Sequence, residues 1–136
     1  MNSLKPFGET RMTPYLLVGI GGALGAMARY GFSSAVGTLA NGFPAATLLI
    51  NVLGSLAMGV LVGVLAKATF QYQSEIRLFV AVGIFGGFTT FSAFSLDAIT
   101  LIERGEILQA ATYILLSVIL SLAGLMIGLY AVRVAL

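Results

Sequence analysis

Four long apolar segments alternate with short polar ones along the chain. They begin near Pro14, Ala45, Leu78 and Ile107, and each holds about 20 residues or more. A helix of that length crosses the roughly 30 Å hydrocarbon core of a bilayer. The pattern therefore predicts four transmembrane helices, over about 14 to the mid-30s, 45–66, 78–101 and 107–132.

The segments between these runs are too short to fold into a soluble domain. Residues 1–12 are polar and predict an N-terminal tail, and residues 13–136 predict a single four-helix transmembrane domain. Lys5 and Arg11 ahead of an apolar run also resemble a signal peptide, but its removal would leave three spans, so the tail is the favoured interpretation. Met12 is an alternative start of translation.

Small residues recur one helical turn apart in three of the predicted helices. Such pairs allow two membrane helices to approach closely. The pairs are Gly21 with Gly25, Gly59 with Gly63, and Gly124 with Gly128. Each predicts a helix-packing surface.

Polar side chains inside the spans follow the same four-residue spacing. One series is Thr47, Asn51 and Ser55, and a second is Tyr113, Ser117 and Ser121. An amide at the depth of Asn51 is costly unless it is paired, so it either joins two helices or offers its NH₂ group to a passing solute. Arg29, about 15 residues into the first span, either snorkels to the interface or faces a watery cavity, and snorkelling is the general expectation.

The third span contains the sequence GIFGGFTTFSAFS at residues 83–95, with four phenylalanines spaced three apart. Gly86, Gly87 and the two threonines that follow are weak helix formers, which predicts an interruption of the helix at the glycine pair. A broken helix in lipid must satisfy its backbone groups with protein, water or an ion. The alternative is a glycine packing surface whose serines and threonines bond back to their own helix.

Composition identifies an integral membrane protein. Hydrophobic residues make up 59% of the chain, mean hydropathy is +1.04, and only 9% of residues are charged. The chain has no cysteine and no histidine, which removes the usual nucleophiles, bases and soft-metal ligands, so an enzyme is not expected. A net charge of +2 from scattered basic residues argues against nucleic-acid binding.

The polar groups inside the spans favour an anion. They are hydroxyls and one amide, and the first, second and fourth spans contain no acid. Such donors can replace the hydration shell of a small anion, whereas cation pathways usually carry carboxylates. The positive edges of Phe91 and Phe94 suit the same ion. The inventory is Thr47, Asn51, Thr89, Thr90, Ser92, Ser95, Tyr113, Ser117 and Ser121.

Three stretches resemble signatures of the Fluc (CrcB) family of bacterial fluoride channels. They are GGALGAMARY at 21–30, TLLINVLGS at 47–55 and GIFGGFTTFSAFS at 83–95. The stretches lie in three of the four helices in the family's order, and the fourth adds Tyr113, Ser117 and Ser121 at matching distance. Two positions depart from the usual pattern, with Ala93 where members often have Thr and Asp97 where they often have Glu.

The resemblance implies a passive fluoride channel in the bacterial inner membrane that exports fluoride entering as HF. It also implies an antiparallel, dual-topology homodimer with two pores and one structural sodium ion at its centre. Gly86 and Thr89 would give backbone carbonyls to sodium, and Arg29 would be the cation of a vestibule. The expected fluoride-binding residues are Thr47, Asn51, Phe91, Ser92, Phe94, Ser95, Tyr113, Ser117 and Ser121.

Charge distribution bears on dual topology. With the N-terminus inside, five basic residues lie inside against two outside, which opposes random insertion. The five are Lys5, Arg11, Lys67, Arg77 and Arg133, and the two are Arg29 and Arg104. Starting translation at Met12 reduces the bias to three against two.

Two other classes of protein have similar length and hydropathy. A four-helix drug exporter would be built on a glutamate inside the first helix, but Glu9 lies before that helix here. A structural tetraspan subunit would use its glycines only for packing and its serines only for back-bonding. Transport of fluoride separates both from a channel.

Overall fold

The computed structural model describes residues 12–67 and 69–135, and within them the regular structure is helical. The four helical spans are α1 (Met12–Val36), α2 (Ala45–Lys67), a third span over Gln73–Glu103, and a fourth over Ile107–Ala135. Each is long and apolar enough to cross a membrane, which confirms the predicted spans. Of the predicted tail only Met12 is described, so Lys5 and Arg11 lie outside the described residues.

The third span is built from several pieces. It comprises α3 (Gln73–Ile76), a π-helix (Arg77–Phe85), α4 (Gly86–Phe88) and α5 (Phe91–Glu103). Thr89 (φ −75°, ψ 157°) and Thr90 (φ −154°, ψ 119°) are extended. The glycine pair is itself helical, with Gly86 at φ −63° and ψ −36°, so placing the interruption there was wrong by three residues. Thr89 and Thr90 are termed the extended pair.

The first half of the third span packs directly against α1. A Cβ on Gly21 would clash with the Phe79 carbonyl oxygen, and one on Gly25 would clash with the Ile84 carbonyl oxygen. A Cβ on Gly83 would lie 2.8 Å from the Gly21 Cα. The two backbones therefore touch, because no side chain separates them.

The last helix, α6 (Ile107–Ala135), packs against α2 in the same way. A Cβ on Gly59 would clash with the Leu125 carbonyl oxygen, and one on Gly128 would clash with that of Leu56. One on Gly124 would lie 3.2 Å from the Val52 carbonyl oxygen. The glycine spacing thus marks real contact surfaces in both helix pairs.

Side chains between α2, α5 and α6 form the hydrophobic core. Tyr113, Ile50 and Leu101 are its largest fully buried side chains. Phe94 and Tyr113 belong to one continuous buried cluster. This core fixes α5 against the other two helices, directly after the extended pair.

Candidate functional site

Asn51 holds the backbone of Thr90. The Thr90 amide donates to Asn51 Oδ1 over 2.8 Å, and Asn51 Nδ2 donates to the Thr90 carbonyl oxygen over 3.0 Å. The amide side chain therefore binds the extended chain as a neighbouring strand would. Of the two interpretations of Asn51, the structure shows helix joining and leaves one Nδ2 hydrogen outside these bonds.

Thr90 caps α5. Its Oγ1 accepts a hydrogen bond from the Ala93 amide over 3.1 Å and lies 3.2 Å from Ser92 Oγ. An N-cap of this type stabilises a helix by about 1 kcal/mol. The cap explains why α5 begins immediately after the extended pair.

These bonds redirect two amides that a continuous helix would use internally. In an α-helix the Thr90 amide would bond the Gly86 carbonyl, and the Ala93 amide would bond the Thr89 carbonyl. Here the first bonds Asn51 and the second bonds Thr90 Oγ1. The carbonyls of Gly86 and Thr89 have therefore lost their helical donors.

Arg29 reaches the extended pair from α1. Its Nη1 donates to the Thr89 carbonyl oxygen over 3.4 Å, and its side chain is half-buried. The guanidinium thus contacts protein backbone inside the third span, a partner that neither snorkelling nor a vestibule position had suggested.

An open groove of about 580 Å³ lies between α2, the third span and α6. Seven of the sequence-predicted site residues line it, and five do not. The seven are Gly86, Thr89, Asn51, Phe91, Phe94, Ser117 and Ser121. The five are Arg29, Thr47, Ser92, Ser95 and Tyr113.

Two phenyl rings line the groove. Phe91 is 77% exposed, whereas Phe94 is only 9% exposed. Their centroids are 5.3 Å apart with the planes inclined by 44°, and Phe94 lies 5.4 Å from the Tyr113 ring. Phe94 is therefore fixed by packing on both sides, while Phe91 projects from the surface of the chain.

The hydroxyl groups divide into two kinds. Ser95 Oγ donates to the Phe91 carbonyl over 2.9 Å, and Thr89 Oγ1 donates to the Phe85 carbonyl over 2.8 Å. Ser117 is only 4% exposed, and its Oγ has no hydrogen-bond partner among the described residues. Back-bonding therefore explains Ser95 and Thr89, whereas Ser117 lines the groove with a buried hydroxyl that has no hydrogen bond of its own among the described residues.

Tyr113 lies behind Phe94 and is fully buried. Its hydroxyl donates to Asp97 Oδ2 over 3.3 Å. Asp97 is half-buried and has this buried phenol as a partner. The phenol is thereby tied to α5.

Seven residues that line the groove were not among the predicted site residues, and three of these carry a hydroxyl or a thioether group. Ser55 and Met58 line the groove from α2, and Thr90 lines it while also capping α5. Ser55 continues the four-residue series of Asn51 and could have been included on that basis. A threonine directly before a new helix is also an N-cap signal. This signal was not recognised at Thr90, because the interruption of the helix was predicted at the glycine pair.

Comparison with known proteins gives a consistent result. The family described as "CrcB-like protein, Camphor Resistance (CrcB)" matches residues 16–129. The chain is 54% identical to "Fluoride-specific ion channel FluC" of Cereibacter sphaeroides over 121 residues, covering 87% of this chain and 93% of that protein. It is 51% identical to the protein of that name from Paracoccus denitrificans (85% and 90% covered) and 48% identical to that from Hyphomonas neptunium (90% and 97% covered).

Proposed function

The chain belongs to the CrcB family, which consists of ion channels rather than enzymes, and from that premise we propose that it is a passive, fluoride-selective channel. The observation that carries the proposal is the groove, in which the Ser117 hydroxyl and the second Nδ2 hydrogen of Asn51, neither of which bonds another described residue, lie with the rings of Phe91 and Phe94. The groove offers donors and ring edges, as a small anion requires.

The orientation of the Asn51 amide favours an anion over a cation. Its Oδ1 already accepts from the Thr90 amide, so the acceptor end is engaged. The Nδ2 hydrogen that does not bond Thr90 is a donor available to the groove. Fluoride accepts hydrogen bonds strongly, so a fixed N–H and the Ser117 hydroxyl replace part of its hydration shell.

The pore is completed by a second copy of the chain in antiparallel orientation. The groove is open along one side, and the chain exposes Phe91 and Gly86 there. A ring 77% exposed in one chain becomes a pore wall when another chain covers it. The basic residues divide five to two across the membrane when translation starts at Met1 and three to two when it starts at Met12, and the smaller bias is the one that allows insertion in both orientations.

A sodium ion at the two-fold axis would be held by the carbonyl oxygens of Gly86 and Thr89. Both residues line the groove and both carbonyls have lost their helical donors, so their chemistry fits a hard cation. The Thr89 carbonyl oxygen can accept the hydrogen bond from Arg29 and also ligate the ion, because a carbonyl oxygen has two lone pairs. When bound, the ion supplies positive potential beside the anion path.

Sodium replacement tests this site. We expect thermal stability of the purified dimer to fall when sodium is replaced by N-methylglucamine, since the ion binds only the folded protein. Melting followed by size-exclusion chromatography across a sodium titration measures the effect. A melting temperature independent of sodium would remove the ion from the proposal.

The physiological role that follows is fluoride export across the inner membrane. Fluoride enters a cell as neutral HF and is trapped as the anion at cytoplasmic pH. A passive conductor then lets it leave down its electrochemical gradient. Efflux from cells loaded with fluoride, with and without the gene, measures that direction.

Fluoride efflux from liposomes containing the purified protein tests the proposal as a whole. We expect rapid efflux that an imposed proton gradient does not drive, together with exclusion of chloride. Efflux coupled to protons would indicate a carrier of the exporter class. Protein that passes no fluoride would be a structural subunit, and comparable chloride flux would end the claim of selectivity.

A further inference from the structure

Arg29 stands in a row of α1 residues that face the end of α4. Gly25, one turn earlier, is pressed against the Ile84 carbonyl and the Phe88 amide. Phe32, one turn later, packs edge-on against Phe88 with the ring centroids 6.3 Å apart. Residues spaced by four and three share one face of a helix, so this row aims the guanidinium at Thr89.

The Thr89 carbonyl needs a donor of this kind. Its helical partner, the Ala93 amide, bonds Thr90 Oγ1 instead. The carbonyl also stands where the helical ladder of α4 ends, and the negative end of a helix dipole attracts a cation. The sequences of α1 and α2 contain no acidic residue to compete for the arginine.

Two neighbouring spans thus hold the extended pair. Arg29 of α1 donates to Thr89, and Asn51 of α2 bonds both backbone groups of Thr90. Without the arginine, the Thr89 carbonyl would lose the charged donor that it has among the described residues, and the geometry that Asn51 recognises would loosen.

We propose that Arg29 is a positioning residue, which caps α4 at the Thr89 carbonyl and so fixes the extended backbone that orients Asn51 toward the groove. Arg29 therefore acts on transport through Thr89 and Asn51 and not through direct contact with the anion. That effect on transport rests on the proposed fluoride function, whereas the cap itself does not.

Amide hydrogen exchange of the full-length protein, followed by mass spectrometry of peptides covering 86–95, tests the cap. In R29Q we expect exchange there to rise about tenfold, because a charged hydrogen bond is lost at the extended pair. In R29K, where a single compact donor remains, the rise should be about threefold. The controls are R104Q and R104K, since Arg104 is exposed and follows α5, and both should exchange as wild type does.

Exchange in R29Q equal to that in R104Q would overturn the proposal. If flux then fell and R29K restored it, the arginine would act on the anion by its charge, and if flux were unchanged, the contact would be incidental. If R29Q does not fold, hydrogen exchange of residues 86–95 is compared between R29K and R104K instead, and equal exchange in these two variants would overturn the proposal. Fluoride efflux through the wild-type protein is measured on the same preparations. If the wild-type protein does not conduct, the channel proposal is refuted, but the exchange result still tests the cap.

Discussion

α1 packs backbone to backbone against the first half of the third span, whereas α2, the third span and α6 leave a groove open between them. The first contact depends on missing side chains, since a Cβ on Gly21 or Gly25 would strike a carbonyl oxygen. The groove depends on the side chains that are present, among them Asn51, Phe94 and Ser117. The extended pair lies between the two regions.

The comparison shows how each region limits substitution. Backbone contact leaves no room for an added methyl group, because neither backbone can move without moving a whole helix. The groove has space, so its side chains can change while the fold stays. We therefore expect changes in the first region to affect folding and changes in the second to affect transport.

The largest effect is expected from Gly25→Ala. The new Cβ would clash with the Ile84 carbonyl oxygen, and overpacking of this kind costs about 1–3 kcal/mol or more. The yield of monodisperse protein and its melting temperature should both drop sharply. Gly19→Ala is the matched control, because that position has no atom within 4 Å, and it should melt at or above the wild-type temperature.

Asn51→Asp should abolish most fluoride flux while the protein stays folded. An aspartate keeps the acceptor for the Thr90 amide but loses the donor to the Thr90 carbonyl and places a negative charge beside an anion path. The expected loss of flux is about a hundredfold. The matched control is Asn41→Asp in the loop between α1 and α2, which keeps its acceptor for the Phe43 amide, and this variant should conduct normally. Normal flux in folded Asn51→Asp would remove the residue from the site.

Phe94→Ile should lower flux about tenfold, since the ring edge disappears and an aliphatic group offers no positive edge to the anion. Phe70→Ile is the control, because Phe70 lies in the loop before α3, is 39% exposed and does not line the groove. That control should leave both the melting temperature and the flux near wild type. Equal flux in the two variants would mean that Phe94 serves only the core.

The smallest effect is expected from Ser117→Ala. Removing a buried hydroxyl without a protein partner should not lower the melting temperature, and flux should fall roughly three- to tenfold. Ser95→Ala removes a hydroxyl that is bonded to its own helix and should leave flux near wild type. A drop in stability without a drop in flux would assign Ser117 to packing.

Hydropathy and glycine spacing predicted the four spans and their packing surfaces, because length and small residues depend on one helix at a time. The position of the extended pair was not predictable in the same way. Gly86 and Gly87 are weaker helix formers than the threonines that follow them, yet both glycines are helical. The helix ends after them because the Thr90 amide bonds Asn51, which lies in another span.

The site was predictable in its members but not in their partners. Asn51, Phe91 and Phe94 stand out by type and spacing, and all three line the groove. The contact of Arg29 with Thr89 joins residues 60 positions apart, and that of Tyr113 with Asp97 depends on how α5 and α6 meet. The spacing of residues along one helix does not show which residue of another helix a side chain will contact.

Thr90 illustrates how little freedom a single position can keep under mutation. Its amide and carbonyl bond Asn51, and its hydroxyl caps α5. Valine has the same shape but loses the cap, and proline loses the amide. Serine preserves every bond without adding atoms or charge at a residue that is only 9% exposed, so in a library of all substitutions it should be the best-tolerated alternative. Its neighbour Phe91, exposed in the single chain, is constrained by its contact with Phe94 and by what lies across the groove.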